Sequence, residues 1–168
     1  MDFLENEIPA YYQYYVDLAS QSSIDKGFEG STNQLLNLID TLPKEKQSYA
    51  YAEGKWTIKE VILHIIDTER VFQYRALRFA RNDKTMLPGF DQDLFADYSE
   101  ANNRSLSSLR EEFIAVRKST EQLYTSFSKE TLLISGNASD TSISIRAIGY
   151  VMIGHLQHHL KIINERYL

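Results

Sequence analysis

The chain has 168 residues, 43% hydrophobic and 24% charged, with a formal net charge of −5 and no cysteine. That is ordinary globular composition for a single domain spanning residues 1–168, and it excludes disulfides, thiolate metal sites and a catalytic thiol of the protein's own. The acidic balance argues against nucleic-acid binding. No apolar run approaches the ~20 residues that span a bilayer and the N-terminus lacks an apolar leader, so the expectation is a cytoplasmic protein without membrane partners.

In chain order, Pro9 stands at a plausible first helical position for residues 9–21, where Tyr11, Tyr14, Tyr15 and Leu18 follow at helical spacing and predict a packing face. Ser31 with Gln34 resembles a capping box inside a helix of about 26–42, which Pro43 ends. Residues 43–55 form a polar connection. Thr57 and Glu60 form a second capping box, with Trp56 and Val61 placed as a hydrophobic staple. A stripe of Ile58, Val61, Ile62, Ile65, Phe72, Ala76 and Phe79 then runs to about Arg81. Residues 82–98 contain the turn signal Pro88-Gly89, and Ser99 is a suitable N-cap for a long helix of about 99–127. Residues 128–141 are polar, with Gly136-Asn137 as a turn signal, and the last helix covers about 143–166. Four substantial helices with one apolar stripe each predict an all-α fold, a four-helix bundle. Eleven Tyr and eight Phe are many for one bundle core, which, with the resemblance described below, motivates the expectation of a homodimer.

The four histidines carry the functional signal. His155 and His159 are one helical turn apart, so their Cβ atoms stand about 5–6 Å from each other on one face. His64 lies on a different helix, on a line with Thr57, Thr68, Val71 and Arg75. Both groups flank their helices' apolar centres, which places them at a cleft on the bundle edge. Two imidazoles one turn apart and a third from a facing helix suit one divalent ion. His158 points ~100° away from His159 and is assigned a supporting or surface role. In H-L-Q-H-H, Leu156 stands where a zincin has its glutamate base, so that reading is rejected. Asp91-Gln92-Asp93 fails as a calcium loop because Phe95 and Ala96 occupy the positions of an oxygen ligand and a glycine. No nucleophile elbow or phosphate loop is present.

The segment KWTIKEVILHIIDTERVFQYRALRFAR, the loop LPGFDQD and the terminal IGHLQHHLKIINERYL, in register across residues 55–168, resemble the DinB/YfiT-like superfamily. The resemblance implies a bundle with up-down-down-up connectivity. It also implies a zinc or nickel ion held by three histidines, carried over as His64, His155 and His159. Family activities include transfer of low-molecular-weight thiols such as bacillithiol, mycothiol or glutathione, and one branch resembles metal-dependent hydrolases. Three readings follow: a metal-dependent transferase using such a thiol on small-molecule electrophiles, a metal-dependent hydrolase of a small amide or ester, and a non-catalytic metal-binding stress-response protein. Arg75 and Arg166, on the histidine lines of their helices, are candidates for holding an anionic cosubstrate. Asp67 and Glu69 are candidates for supporting His64.

Overall fold

The computed structural model describes residues 3–4 and 7–168. Four long helices carry the fold: α2 (Ile24–Thr41), α3 (Ile58–Ala80), α5 (Leu106–Thr125) and α7 (Ile145–Arg166). Shorter elements are α1 (Ala10–Ala19), α4 (Gln92–Asp97), α6 (Lys129–Leu132) and the antiparallel pair β1 (Ser135–Ala138) and β2 (Thr141–Ser144).

Cross-helix contacts give the directions. Bonds from Asn102, just before α5, to Glu60, from Arg117 to Glu69 and from Gln73 to Ser119 advance together along α3 and α5, so these helices are parallel. Phe28 packs on Tyr124 and Asp40 pairs with Arg110, so α2 and α5 are antiparallel. Trp56 meets Tyr167 while His64 meets His155, so α3 and α7 are antiparallel. The order α2, α3, α5, α7 therefore reads up-down-down-up, as the resemblance implied. The apolar stripes meet in two clusters: one near Leu35, Ile62, Leu109 and Ile163, the other near Phe28, Phe79, Ile145 and Tyr150.

The second capping box forms as expected. The Thr57 hydroxyl accepts from the Glu60 N–H at 3.2 Å, and the Glu60 carboxylate accepts from the Thr57 N–H at 2.7 Å. The first does not. Helix α2 starts at Ile24 after Ser23, and Ser31 lies in mid-helix, where its hydroxyl donates to the Phe28 carbonyl and accepts from Arg117. The helix expected over 99–127 is broken. Residues Ala101–Asn103 make one 3-10 turn, Arg104 is extended, and Ser105 caps α5 through the Ser108 N–H. Glu100 adopts a left-handed conformation at φ 51°, which an uninterrupted helix forbids.

The polar stretch 128–141 also differs from expectation. Gly136 and Asn137 lie within β1, and the turn falls at Ser139-Asp140, both at positive φ. Two left-handed residues between antiparallel strands match the twist that a two-residue hairpin requires. Gly136 is required in the strand because a Cβ there would collide with the Phe79 ring. Leu87 docks on the hairpin: its N–H donates to the Asn137 carbonyl and its carbonyl accepts from the Ser139 N–H, both at 3.0 Å. This contact brings the Pro88-Gly89 loop over the C-terminal half of α3.

Candidate metal centre

His64 projects from α3 and His155 and His159 project from the facing stretch of antiparallel α7. The Nε2 atoms of His64 and His155 are 3.0 Å apart and those of His155 and His159 are 3.1 Å apart. One ligand atom from each of the three lies within 4.8 Å of the other two. His64 and His155 are buried and His159 is half-buried. Trp56 lies against His64 at 4.7 Å between ring centroids, and Tyr15 packs edge-on to His155 at 5.6 Å.

This nitrogen set fits a divalent ion. Each imidazole nitrogen has one in-plane position, either a proton or a lone pair. His155 Nε2 faces two neighbouring nitrogens with that single position, so hydrogen bonds alone cannot satisfy the cluster. In a tetrahedral site with bonds of about 2.0–2.1 Å, ligand nitrogens stand about 3.3 Å apart, close to the spacing seen. The rings are also in the neutral form that ligation needs. Burial pushes His64 down to about 4. Burial, with the neighbouring His64 and His158, pushes His159 down to about 3. Burial and the other three histidines hold His155 well below its ordinary value.

Above the triad a cavity of about 420 Å³ opens between α1, α3 and α7, with the 89–92 loop and the hairpin turn at its far end. Its walls are mainly aromatic and aliphatic, from Tyr12, Tyr15, Phe72, Phe90 and Val151, and none of its lining residues is a carboxylate. Burial raises the Tyr12 and Tyr15 hydroxyls above their usual range, so neither is a phenolate base near neutrality. Thr68, one turn beyond His64 and only 4% exposed, lines the cavity, and its hydroxyl has no hydrogen-bond partner among the described residues.

Of the two candidate arginines, Arg75 lines this cavity and is buried. Arg166 is exposed, lies beside Tyr51 and lines a separate cleft that reaches His159 from the other side, with His158 and Trp56. His158 turns away from the triad toward Tyr14, whose hydroxyl is 3.4 Å from its Nδ1. Glu69 does not support His64. Both its oxygens accept from the buried Arg117, which ties α3 to α5. Asp67 pairs with Arg70 instead.

The sequence reading missed the part played by α1. Of the residues read as a packing stripe, Tyr14 is exposed, Tyr11 is exposed but lines the cavity, and Tyr15 and Leu18 are half-buried; Tyr15 lines the cavity together with Tyr12, which lay outside the stripe. The signal was Gly154, next to His155 in mid-helix, where glycine costs about 1 kcal/mol against alanine and therefore marks a close approach. A Cβ at this position would meet the Tyr15 backbone, with its carbonyl carbon at 2.6 Å and the oxygen closer still.

An up-down-down-up helical bundle with three convergent imidazoles beside an open cavity defines a class of metal-binding four-helix proteins. The chain belongs to the DinB superfamily, whose family model matches residues 28–163. A curated relative from Oceanobacillus iheyensis, named "Putative metal-dependent hydrolase OB0413", is 29% identical over 144 residues, covering 80% of this chain and 78% of that protein. A solved structure covers 98% of this chain and 90% of its own at a TM-score of 0.74 and 12% identity. It is described as "YfiT from Bacillus subtilis is a probable metal-dependent hydrolase with an unusual four-helix bundle topology", and at that identity the likeness is one of fold. No helix among the described residues is long and apolar enough to cross a membrane.

Proposed function

We propose that this protein is a metal-dependent hydrolase of small amides or esters, with one zinc or nickel ion held by His64, His155 and His159. The observation that carries the reading is the convergence of three neutral Nε2 atoms, two of them, from His64 and His155, on residues that line an open, largely apolar cavity. The names of the relatives support the same reading.

An ion bound there acts as a Lewis acid, acidifying a coordinated water or thiol and polarising a carbonyl. The residues of the chain do the rest. Three uncharged imidazoles would leave a bound ion its full charge and leave coordination positions open for water or substrate. Trp56 and Tyr15 fix the orientations of His64 and His155 by packing. The apolar walls give the cavity few polar groups of its own, which strengthens electrostatic interactions of a substrate bound there. The buried Thr68 hydroxyl, on a residue that lines the cavity and without a hydrogen-bond partner among the described residues, is free to donate to an oxygen of the substrate. No carboxylate lines the cavity to serve as a general base, and Asp93 lines only the separate cleft that His159 borders, so activation of the nucleophile is chemistry that a bound ion would supply.

That last feature also favours a second reading, transfer of a low-molecular-weight thiol to a small electrophile. A coordinated thiol likewise needs no protein base, and the chain has no sulfur nucleophile of its own. The deciding assay supplies 4-nitrophenyl esters and anilides, and separately monochlorobimane with bacillithiol, glutathione or coenzyme A, each with and without chelator. Metal-dependent cleavage without thiol is the expected result. Conjugation that needs both metal and thiol, with no cleavage, would replace hydrolysis by transfer. Tight metal retention with no turnover in either arm would leave a metal-binding protein without catalysis.

A further inference from the structure

Arg75 is a buried cation without a counter-ion among the described residues. It is 3% exposed and forms no ion pair among the described residues. Its Nη2 donates to the Pro88 carbonyl at 3.1 Å and to the Ser139 hydroxyl at 2.9 Å. The Phe72 ring lies 5.1 Å from the guanidinium carbon, and the Tyr12 hydroxyl meets the same group. Every partner is neutral. A guanidinium stays charged, and burying an uncompensated charge is costly. The other buried arginine, Arg117, is matched by Glu69 within 2.7 Å, so this fold pairs a buried arginine where no ligand is needed.

The surroundings of Arg75 hold it as a fixture. Ser139 occupies a left-handed position, φ 51°, where Gly or Asn is the relaxed choice, and its side chain is the one that anchors Nη2. The Pro88 loop that supplies the carbonyl is itself pinned through Leu87 to the hairpin. The guanidinium held in this way lines the same cavity as His64 and His155 of the triad. Between them stand Phe72 and the unpartnered hydroxyl of Thr68. Arg75 follows His64 by eleven residues on α3, a rise of about 16 Å at Cα. Helical side chains lean toward the N-terminus, so the guanidinium reaches back toward the triad.

We propose that the cavity binds elongated organic anions, with a carboxylate on Arg75, an apolar body along Phe72 and Tyr12, and the reacting carbonyl beside the histidine triad within reach of Thr68. The placing of the carbonyl rests on the hydrolase reading above. The placing of the carboxylate does not, and it can be tested without metal.

The test titrates chelator-treated, full-length protein with 4-phenylbutyrate and with its neutral analogue 4-phenylbutan-1-ol, read by amide chemical shifts. The acid is expected to bind at least ten-fold more tightly, with shifts at Thr68, Arg75 and Ser139. The variant R75M should bring the two affinities together, and R75K should keep part of the preference. Equal affinity for acid and alcohol in the wild-type protein would overturn the proposal, as would a full preference retained by folded R75M. Should R75M not fold, the wild-type ratio decides alone. A separate zinc titration of the wild-type protein tests the triad, so loss of the metal reading with the acid preference intact is a distinct outcome that upholds the anion site.

Discussion

The backbone of Tyr15 rests on Gly154, the residue before His155, closely enough that the glycine has no space for a side chain. This contact seats α1 on α7 and turns the Tyr15 ring against His155. Replacing Gly154 with Ala sets two effects against each other. Alanine favours the helix by about 1 kcal/mol, whereas forcing a methyl group into closed packing costs about 1–3 kcal/mol. Because the obstacle is backbone, packing should win. The expected outcome for G154A is a melting temperature lower by several degrees and weaker zinc binding, measured by calorimetry and competition with a chromophoric chelator. A melting temperature at or above wild type would show that α1 yields without cost.

Removing one imidazole from the triad should remove the ion while sparing the fold. The two apolar clusters are built from other residues. His64→Ala and His155→Ala are each expected to reduce bound zinc from one per chain to a small fraction, by elemental analysis, with the helical circular dichroism unchanged. A triple variant that still carried one tightly bound ion per chain would show that the ion lies elsewhere.

The triad was legible in the sequence because its geometry is local: His155 and His159 are related by one helical turn, and the Thr57–Glu60 box fixes where the helix of His64 begins. What escaped was set by contacts distant in sequence. Glu69 is near His64 along the chain, yet its partner Arg117 is 48 residues away on α5. Gly136-Asn137 carries a turn signal, but the Phe79 ring needs Gly136 in the strand and moves the turn to Ser139-Asp140. The tyrosines of α1 offer two usable faces, and Gly154, more than a hundred residues on, selects the one that meets the cavity. Tyr12 and Tyr15 thereby employ part of the aromatic surplus that motivated a dimer.

The Glu69–Arg117 pair gives a third prediction. Both side chains are almost wholly buried, and Arg117 also donates to the Phe28 carbonyl and to Ser31 while lying over the Phe28 and Phe113 rings. Removing one partner strands the other charge, which costs about 3–5 kcal/mol, whereas replacing both with apolar groups of similar volume is often near neutral. Glu69→Leu alone should therefore lower the urea midpoint sharply, and adding Arg117→Met should recover much of the loss. Additive losses in the double variant would mean that the Arg117 bonds to α2, rather than charge pairing, carry the stabilisation.

Acid sensitivity follows from the histidines of the triad. In the metal-free folded chain His64 is lowered from 6.5 to about 4 and His159 to about 3, and burial heads the causes at both. In the unfolded chain each recovers its ordinary value near 6.5. Between pH 6.5 and about 4 the unfolded chain thus binds more protons than the folded one, so stability falls as pH falls. The slope is about 1.4 kcal/mol per pH unit for each histidine. Glu7 acts lower on the scale. Burial raises it, but bonds from Arg146, the Leu4 N–H and Ser144 outweigh burial and hold it below its usual 4.5. Its contribution is lost only as pH drops beneath that value. Asp67, pushed up from 3.8 by burial, works in the opposite direction. The interval from pH 4.5 to 6.5 therefore belongs chiefly to the histidines. Chelator-treated wild-type protein should lose melting temperature steadily across it, while the triple variant His64→Ala, His155→Ala, His159→Ala should be much flatter and keep only the contribution of His158, which burial also holds below its ordinary value. With zinc present the dependence should steepen, because protons and the ion compete for the same nitrogens. Parallel curves for the wild-type and triple-variant proteins, each measured without metal, would show that the triad is not the source of the acid loss.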